Sequence, residues 1–154
     1  MLEGIEFRET KEVPAQELLS LFRREQWCDY MDLEEVEFYL RVALYVVTAW
    51  HGSEVIGFAR LEGDGRISVE ISDVLVKSEY QGQGIGTEMV RRLVEHIWRL
   101  DPYYINVEPI GDREVHLYQK FGFREMPGCR EMALENPKLS QKCAAVRGEP
   151  DCRR

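Results

Sequence analysis

The sequence predicts an α/β or α+β domain, strands and helices packed about one mixed, mostly antiparallel twisted sheet, and three observations carry that prediction. Three β-rich runs follow one another between Leu44 and Lys77, separated by His51-Gly52-Ser53 and Gly63-Asp64-Gly65. A long helical face follows directly, with Ile85, Met89, Leu93, Ile97 and Leu100 at helical spacing and Val90 and Val94 widening it. After Asp101-Pro102 come a short strand, YYINV, and a second helix carrying Val115, Leu117 and Tyr118.

The remaining elements fit around these. Ile5 and Phe7 alternate with charged residues and predict a strand near 3–9; Pro14 fits the first turn of a helix carrying Leu18, Leu19 and Phe22. In DLEEVEFYLRVA, Asp32 can cap a short helix whose Leu33, Val36 and Leu40 share a face. Ile67, Val69 and Ile71 alternate with Ser68, Glu70 and Ser72 until Val74-Leu75-Val76, where burial on both sides is expected to begin. Asp112 can cap the last helix and Gly122 close it; Phe123 onward and CREMAL read as strands.

At 154 residues, with 44% hydrophobic and 31% charged side chains, the chain suits one globular domain burying about two-thirds of its unfolded surface. No apolar stretch approaches the roughly 20 residues of a membrane span, and the acidic start MLEGIEFRET has no signal-peptide layout, so a soluble cytoplasmic protein without a membrane partner is expected. Cys28, Cys129, Cys143 and Cys152 form no CxxC pair and no His-interleaved spacing, which argues for reduced thiols and against a metal site or a disulfide framework. Residues 1–135 carry a net charge of −11 and residues 136–154 a net +3. The acidic body disfavours nucleic acid and attracts cationic small molecules or basic peptides. Residues 136–154 have few large apolar side chains and no helical or strand period, and read as a mobile tail after a domain of residues 1–135.

The chemistry concentrates in YQGQGIGTEMV, where a strand runs straight into a helix. The first amides of such a helix lack intrahelical acceptors and sit at the positive end of its dipole, so they form an anion site. Gly82, Gly84 and Gly86 would open the amides of Gln81, Gly82, Gln83, Gly84, Ile85, Gly86 and Thr87 to a diphosphate; the competing reading is a plain glycine-rich turn. A Walker A loop is excluded because no Lys follows Gly86, and a dinucleotide fingerprint because its third glycine would fall on Thr87.

VLVKSEYQGQGIGTEMV resembles the acyl-CoA motif of the GNAT superfamily of acyltransferases, [Q/R]xxGx[G/A] after a strand, satisfied by Gln81, Gly84 and Gly86. HLYQKFGF resembles a second hallmark of that family, with Leu117, Tyr118, Gly122 and Phe123 at matching positions. Element order from about residue 3 to 134 also fits. The resemblance implies a splayed strand pair in which Val74, Leu75 and Val76 hold pantetheine and the thioester of acetyl-CoA, while Gln81 to Thr87 hold its diphosphate. It departs at Gly111 and Glu114, where relatives often carry Asn and a small residue facing the cofactor; Asn106 or Asp112 is the candidate substitute.

The resemblance also implies roles. Tyr118 occupies the position of a general acid for the leaving thiolate, against the alternative of a packed aromatic. Glu70 matches the base of lysine-acetylating members, acting through water, against the alternative of a solvated strand-face carboxylate; Asp73 and Glu108 are rivals. His51, His96 and His116 read as surface histidines, and Cys129 lacks a neighbour that would make it a nucleophile. The acceptor side is expected in REQWCDYMDLEEVEFYL, whose aromatics and carboxylates suit an ammonium group or, equally, a solvated helix face. The expected function is an acetyl-CoA-dependent N-acetyltransferase acting on a primary amine, a small cationic amine or a peptide Lys or N-terminus. The alternative is a CoA-binding sensor with weak turnover. Relatives often dimerise, so a homodimer is a possible assembly.

Overall fold

The computed structural model describes residues 3–129, 132, 134 and 136–148. Five strands form one sheet in the order β1 (Ile5–Arg8), β2 (Tyr45–His51), β3 (Glu54–Gly63), β4 (Ser68–Val76) and β5 (Tyr104–Val107). The first four pair antiparallel, as the meander predicts, and β5 joins β4 in parallel. That final pairing needs a crossover, which the long helix α3 (Ile85–Leu100) supplies.

Two apolar layers clamp the sheet. On one face, Ile85, Met89, Val90, Leu93 and Ile97 of α3 pack on Val47, Ala49, Ala59, Leu61, Val69 and Ile71. Each of the Ile, Leu, Met and Val side chains among them contributes about 1.5–3 kcal/mol on leaving water. On the other face lie α1 (Ala15–Glu25) and α2 (Leu33–Val42), with Leu18, Phe22, Val36 and Leu40 against Val46, Trp50, Phe58 and Leu75. α2 starts with a capping box: Asp32 accepts from the Glu35 amide at 2.9 Å and Glu35 accepts from the Asp32 amide at 3.0 Å. Pro14 stands at the N-cap of α1, one residue earlier than predicted, and Leu33 is exposed because the inner face of α2 is Val36, Tyr39 and Leu40.

Four expectations are corrected. Burial alternates along the whole of β4, with Val69, Ile71, Asp73 and Leu75 buried, because a bulge between Ser72 and Leu75 changes which face each residue meets. The last core helix, α4 (Asp112–Gln119), has Gly111 as N-cap with no side-chain cap, so Asp112 lies inside its first turn. Residues 123–129 form no strand, and of CREMAL the residues 130, 131 and 133 lie outside the described residues. The segment after residue 135 holds a helix despite its lack of an apolar period: α5 (Pro137–Arg147), capped by the Asn136 side chain.

α5 docks on the segment joining α1 and α2. Arg147 donates to both Asp29 carboxylate oxygens, at 2.7 and 2.5 Å, and to the Gln26 carbonyl at 2.8 Å, while Lys142 pairs with Glu35. Cys28 and Cys129 are free thiols, but Cys143 is disulfide-bonded, contrary to the reading of reduced thiols throughout. Among the described residues no helix is long and apolar enough to cross a membrane.

Candidate active site

The parallel pairing of β4 with β5 lasts only from Ser68 opposite Tyr104 to Ile71 opposite Val107. Beyond it, β4 continues to Val76 with no strand on that edge among the described residues, and a cleft of about 570 Å³ opens there. Its walls are Val74 and Val76 of β4, the turn from Tyr80 to Thr87 except Gln83, and the inner side of α4.

The glycine turn meets the requirements of an anion cradle. Gly82 and Gly84 have φ of 77° and 89°, in the left-handed region, and a Cβ at either would meet nothing within 4 Å. Gly84 is the N-cap of α3 without a side-chain cap, so the amides of Ile85, Gly86 and Thr87 face the cleft with no intrahelical acceptor. Gly86 differs, having no positive φ and a would-be Cβ at ordinary contact distance, 3.7 Å, from Val76 Cγ2. Gln81 braces the turn, its Nε2 donating to the Val76 carbonyl at 2.9 Å and its Oε1 accepting from Arg113 Nη1 at 3.1 Å.

Arg113 and Lys120 line this cleft and were missed from sequence. With Leu117 they recur at i, i+4, i+7 along α4, a spacing that could have identified them once the helix was assigned. Two cations beside bare helix-start amides suit an anionic ligand of several phosphates, so the residues present fit the diphosphate arm of coenzyme A. Glu114 also lines the cleft, its carboxylate folded back beside Gly111.

Tyr118 is buried in the wall of the cleft, edge-on to Phe123 at 5.8 Å between ring centroids. Burial, and then the negative charges of Glu114 and Asp73, push its phenol well above the ordinary tyrosine value. It therefore keeps its proton at neutral pH. Of the other predicted cofactor residues, Val74, Val76, Gln81, Gly82, Gly84, Ile85, Gly86 and Thr87 line the cleft. Three do not: Leu75 packs on the opposite face in the α1/α2 core, Gln83 turns back to the Glu79 carbonyl at 3.4 Å, and Asn106 is exposed.

Asn106 stands opposite Glu70 in the closed part of the β4/β5 ladder, next to Glu62 across β3. Desolvation, then the charges of Glu108 and Glu62, raise the Glu70 carboxyl above the ordinary 4.5. Asp73 is a different kind of group, buried and accepting from Trp27 Nε1 at 3.0 Å, from Arg60 Nε at 2.9 Å and from the Tyr39 hydroxyl. The acidic segment expected on the acceptor side is largely spoken for by protein partners: Asp29 by Arg147, Glu35 by Lys142 and Asp32, and Glu25 by the Ser78 amide and hydroxyl. His51 and His116 are exposed, as expected of surface histidines, although His116 lines the cleft and His51 Nδ1 lies 2.8 Å from the Tyr80 hydroxyl.

The family model of the Acetyltransferase (GNAT) family matches residues 13–123, from the approach to α1 to the residue beyond the α4 closing glycine. Over 96 residues the chain is 32% identical to a Glycine max protein named Histone acetyltransferase TAP1, covering 58% of this chain and 41% of that one. Over 103 residues it is 25% identical to the Spermine/spermidine N(1)-acetyltransferase of Bacillus subtilis, covering 60% of this chain and 64% of that one. The chain thus spans less than two-thirds of the length of either relative. A GNAT family acetyltransferase from Streptococcus pneumoniae superposes with a TM-score of 0.73 at 27% identity, over 86% of this chain and 98% of that chain. A mixed sheet that opens between its parallel strands over a bare helix start, and a family match running from α1 through α4, have one reading: the chain belongs to the GNAT family of acetyltransferases, enzymes that take acetyl-CoA as acyl donor.

Proposed function

We propose that this acyltransferase moves an acetyl group from acetyl-CoA to a primary amine by direct attack. The observation that carries the reading is the cleft itself: open β4 backbone at Val74–Val76, the bare first amides of α3, and Tyr118 on the facing wall. Acetyl-CoA would supply the activated thioester. The amides of Ile85 to Thr87, with Arg113 and Lys120, hold the diphosphate, and the unpaired edge of β4 beyond Ile71 aligns the pantetheine arm. Glu70, on the α1/α2 side of β4, takes the ammonium proton through water so that the neutral amine can attack. The nitrogen forms the new C–N bond as the C–S bond breaks; Tyr118 Oη would give its proton to the departing sulfur and recover one from the nitrogen through solvent, while Glu70 releases to solvent the proton it took, leaving the amide, the free thiol and one proton.

A cationic acceptor is supported by the chain's net charge of −8 and by the names of two relatives, a histone acetyltransferase and a spermine/spermidine N(1)-acetyltransferase. Glu62, Glu70 and Glu108 gather on the acceptor side of the splay, where an ammonium group would relieve their mutual repulsion. The test is free-thiol release from acetyl-CoA against a panel of polyamines, aminoglycosides and Lys or N-terminal peptides, with calorimetry of CoA alone. Thiol release that rises with one amine class supports the proposal; no heat with CoA, or no amine-dependent thiol release, overturns it.

A further inference from the structure

Asp73 is the acidic residue of β4 whose side chain is driven inside, 1% exposed, and it does so with φ of +55° in the middle of a strand. The ladder explains the position. Phe58 pairs with Leu75 and Arg60 with Ser72, so Ala59 alone faces both Asp73 and Val74, and β4 carries one extra residue. That residue exchanges the faces of the strand. Before it, Val69 and Ile71 pack toward α3; after it, Val74 and Val76 do, and Leu75 joins the α1/α2 core. In an unbulged strand Val74 and Val76 would point away from the cleft they line.

Left-handed backbone is unfavourable for a residue with a Cβ, and Asp tolerates it only with local hydrogen bonds to hold it. The bonds present come from the other face of the sheet. Trp27 of the α1–α2 segment, Tyr39 of α2 and Arg60 of β3 all donate to the Asp73 carboxylate. Tyr39 is itself wedged edge-on to Phe22 at 5.8 Å, and the Arg60 guanidinium lies 4.1 Å over the Tyr39 ring while meeting Glu62 at 2.5 Å.

We propose, on the basis of the acetyl-transfer reading above, that Asp73 is a positioning residue: gripped by Trp27, Tyr39 and Arg60, its carboxylate locks the bulge that turns Val74 and Val76 into the cleft, and ties the acceptor-side helices to the strand that holds the thioester. It is not the base, since both oxygens are occupied by donors in the interior. Donor and acceptor sides of the reaction then share one fixed point, and misalignment there acts on turnover more than on coenzyme affinity, because the diphosphate grip at Gly82–Thr87 is separate.

Asp73→Ala removes every acceptor, Asp73→Asn keeps the shape and one accepting oxygen, and Tyr39→Phe removes one donor at nearly constant volume. Hydrogen exchange of peptides covering 72–76, CoA calorimetry and steady-state kinetics are measured on each. Asp73→Ala is expected to speed exchange at 72–76 by about tenfold or more. Its kcat per folded molecule should fall about tenfold or more, with CoA affinity within about threefold of the parent and with Asp73→Asn recovering part of the loss. Should Asp73→Ala fail to fold, Tyr39→Phe decides, with kcat expected to fall about threefold or more. Parental exchange at 72–76 and parental kcat, or a loss that follows only the unfolded fraction, would overturn the assignment. If the parent protein neither binds CoA nor releases thiol, the acetyl-transfer reading fails, while the exchange measurement still decides whether Asp73 locks the bulge.

Discussion

A tyrosine that keeps its proton and a glutamate that loses its own with difficulty are the two groups on which the proposed chemistry turns. Burial holds the Tyr118 phenol protonated, the state an acid for a departing thiolate needs. Tyr118→Phe is therefore expected to lower kcat by about tenfold or more with little change in CoA affinity, read by thiol release beside calorimetry. For Glu70 the sign runs the other way. Its carboxyl is raised above 4.5 by desolvation, then by Glu108, so the acid limb of kcat/KM should lie above that value. Glu70→Gln should abolish that limb, whereas Glu108→Gln, which removes the largest repulsive charge, should move it to lower pH. An acid limb retained in Glu70→Gln would transfer the role to another group. The raised value also bears on folding, since the favourable protonated state is complete below the unfolded pKa and its contribution is lost as pH rises through the folded one.

At the scale of one element, the turn into α3 separates two kinds of glycine that look alike in sequence. Gly84 is left-handed at φ 89°, and a side chain there is strained even though the space before it is open. Gly86 is an ordinary helical residue with room for a methyl group. Gly84→Ala is expected to destabilise by about 1 kcal/mol, whereas Gly86→Ala should stabilise by about 0.5–1 kcal/mol through lost unfolded-chain entropy. Urea denaturation of both variants checks the contrast, and equal effects would mean that the turn is not built on a left-handed Gly84.

For the whole molecule, the consequential contact is that of α5 with the segment between α1 and α2. Asp29 is buried, its side chain 5% exposed, and Arg147 supplies two hydrogen bonds to it. Arg147→Met leaves that carboxylate without its guanidinium and should cost about 2 kcal/mol, given the partial exposure of the arginine. The midpoint of chemical denaturation measures this. Because Trp27 lies in the same segment and bonds Asp73, loosening α5 should also lower kcat; unchanged turnover would confine α5 to stability.

The order of elements from β1 to α4, the capped start of α2, the apolar face of α3 and the glycine turn that leads into it were legible in the sequence, because each rests on local spacing and backbone preference. Glu70 and Tyr118 were legible as candidates for the same reason, through motif positions along single elements. Even α5 left its mark, in Asn136-Pro137 at one end and Gly148 at the other, but those caps were outweighed by the lack of an apolar period. Only the tertiary structure decided the rest. One added residue in β4 reverses its faces, and no alternation pattern can say where that happens when the partners holding it, Trp27, Tyr39 and Arg60, come from distant parts of the chain. Arg113 and Lys120 likewise become cleft residues only when α4 is set across the opening between β4 and β5, since charge recognises a ligand through distances that packing alone establishes.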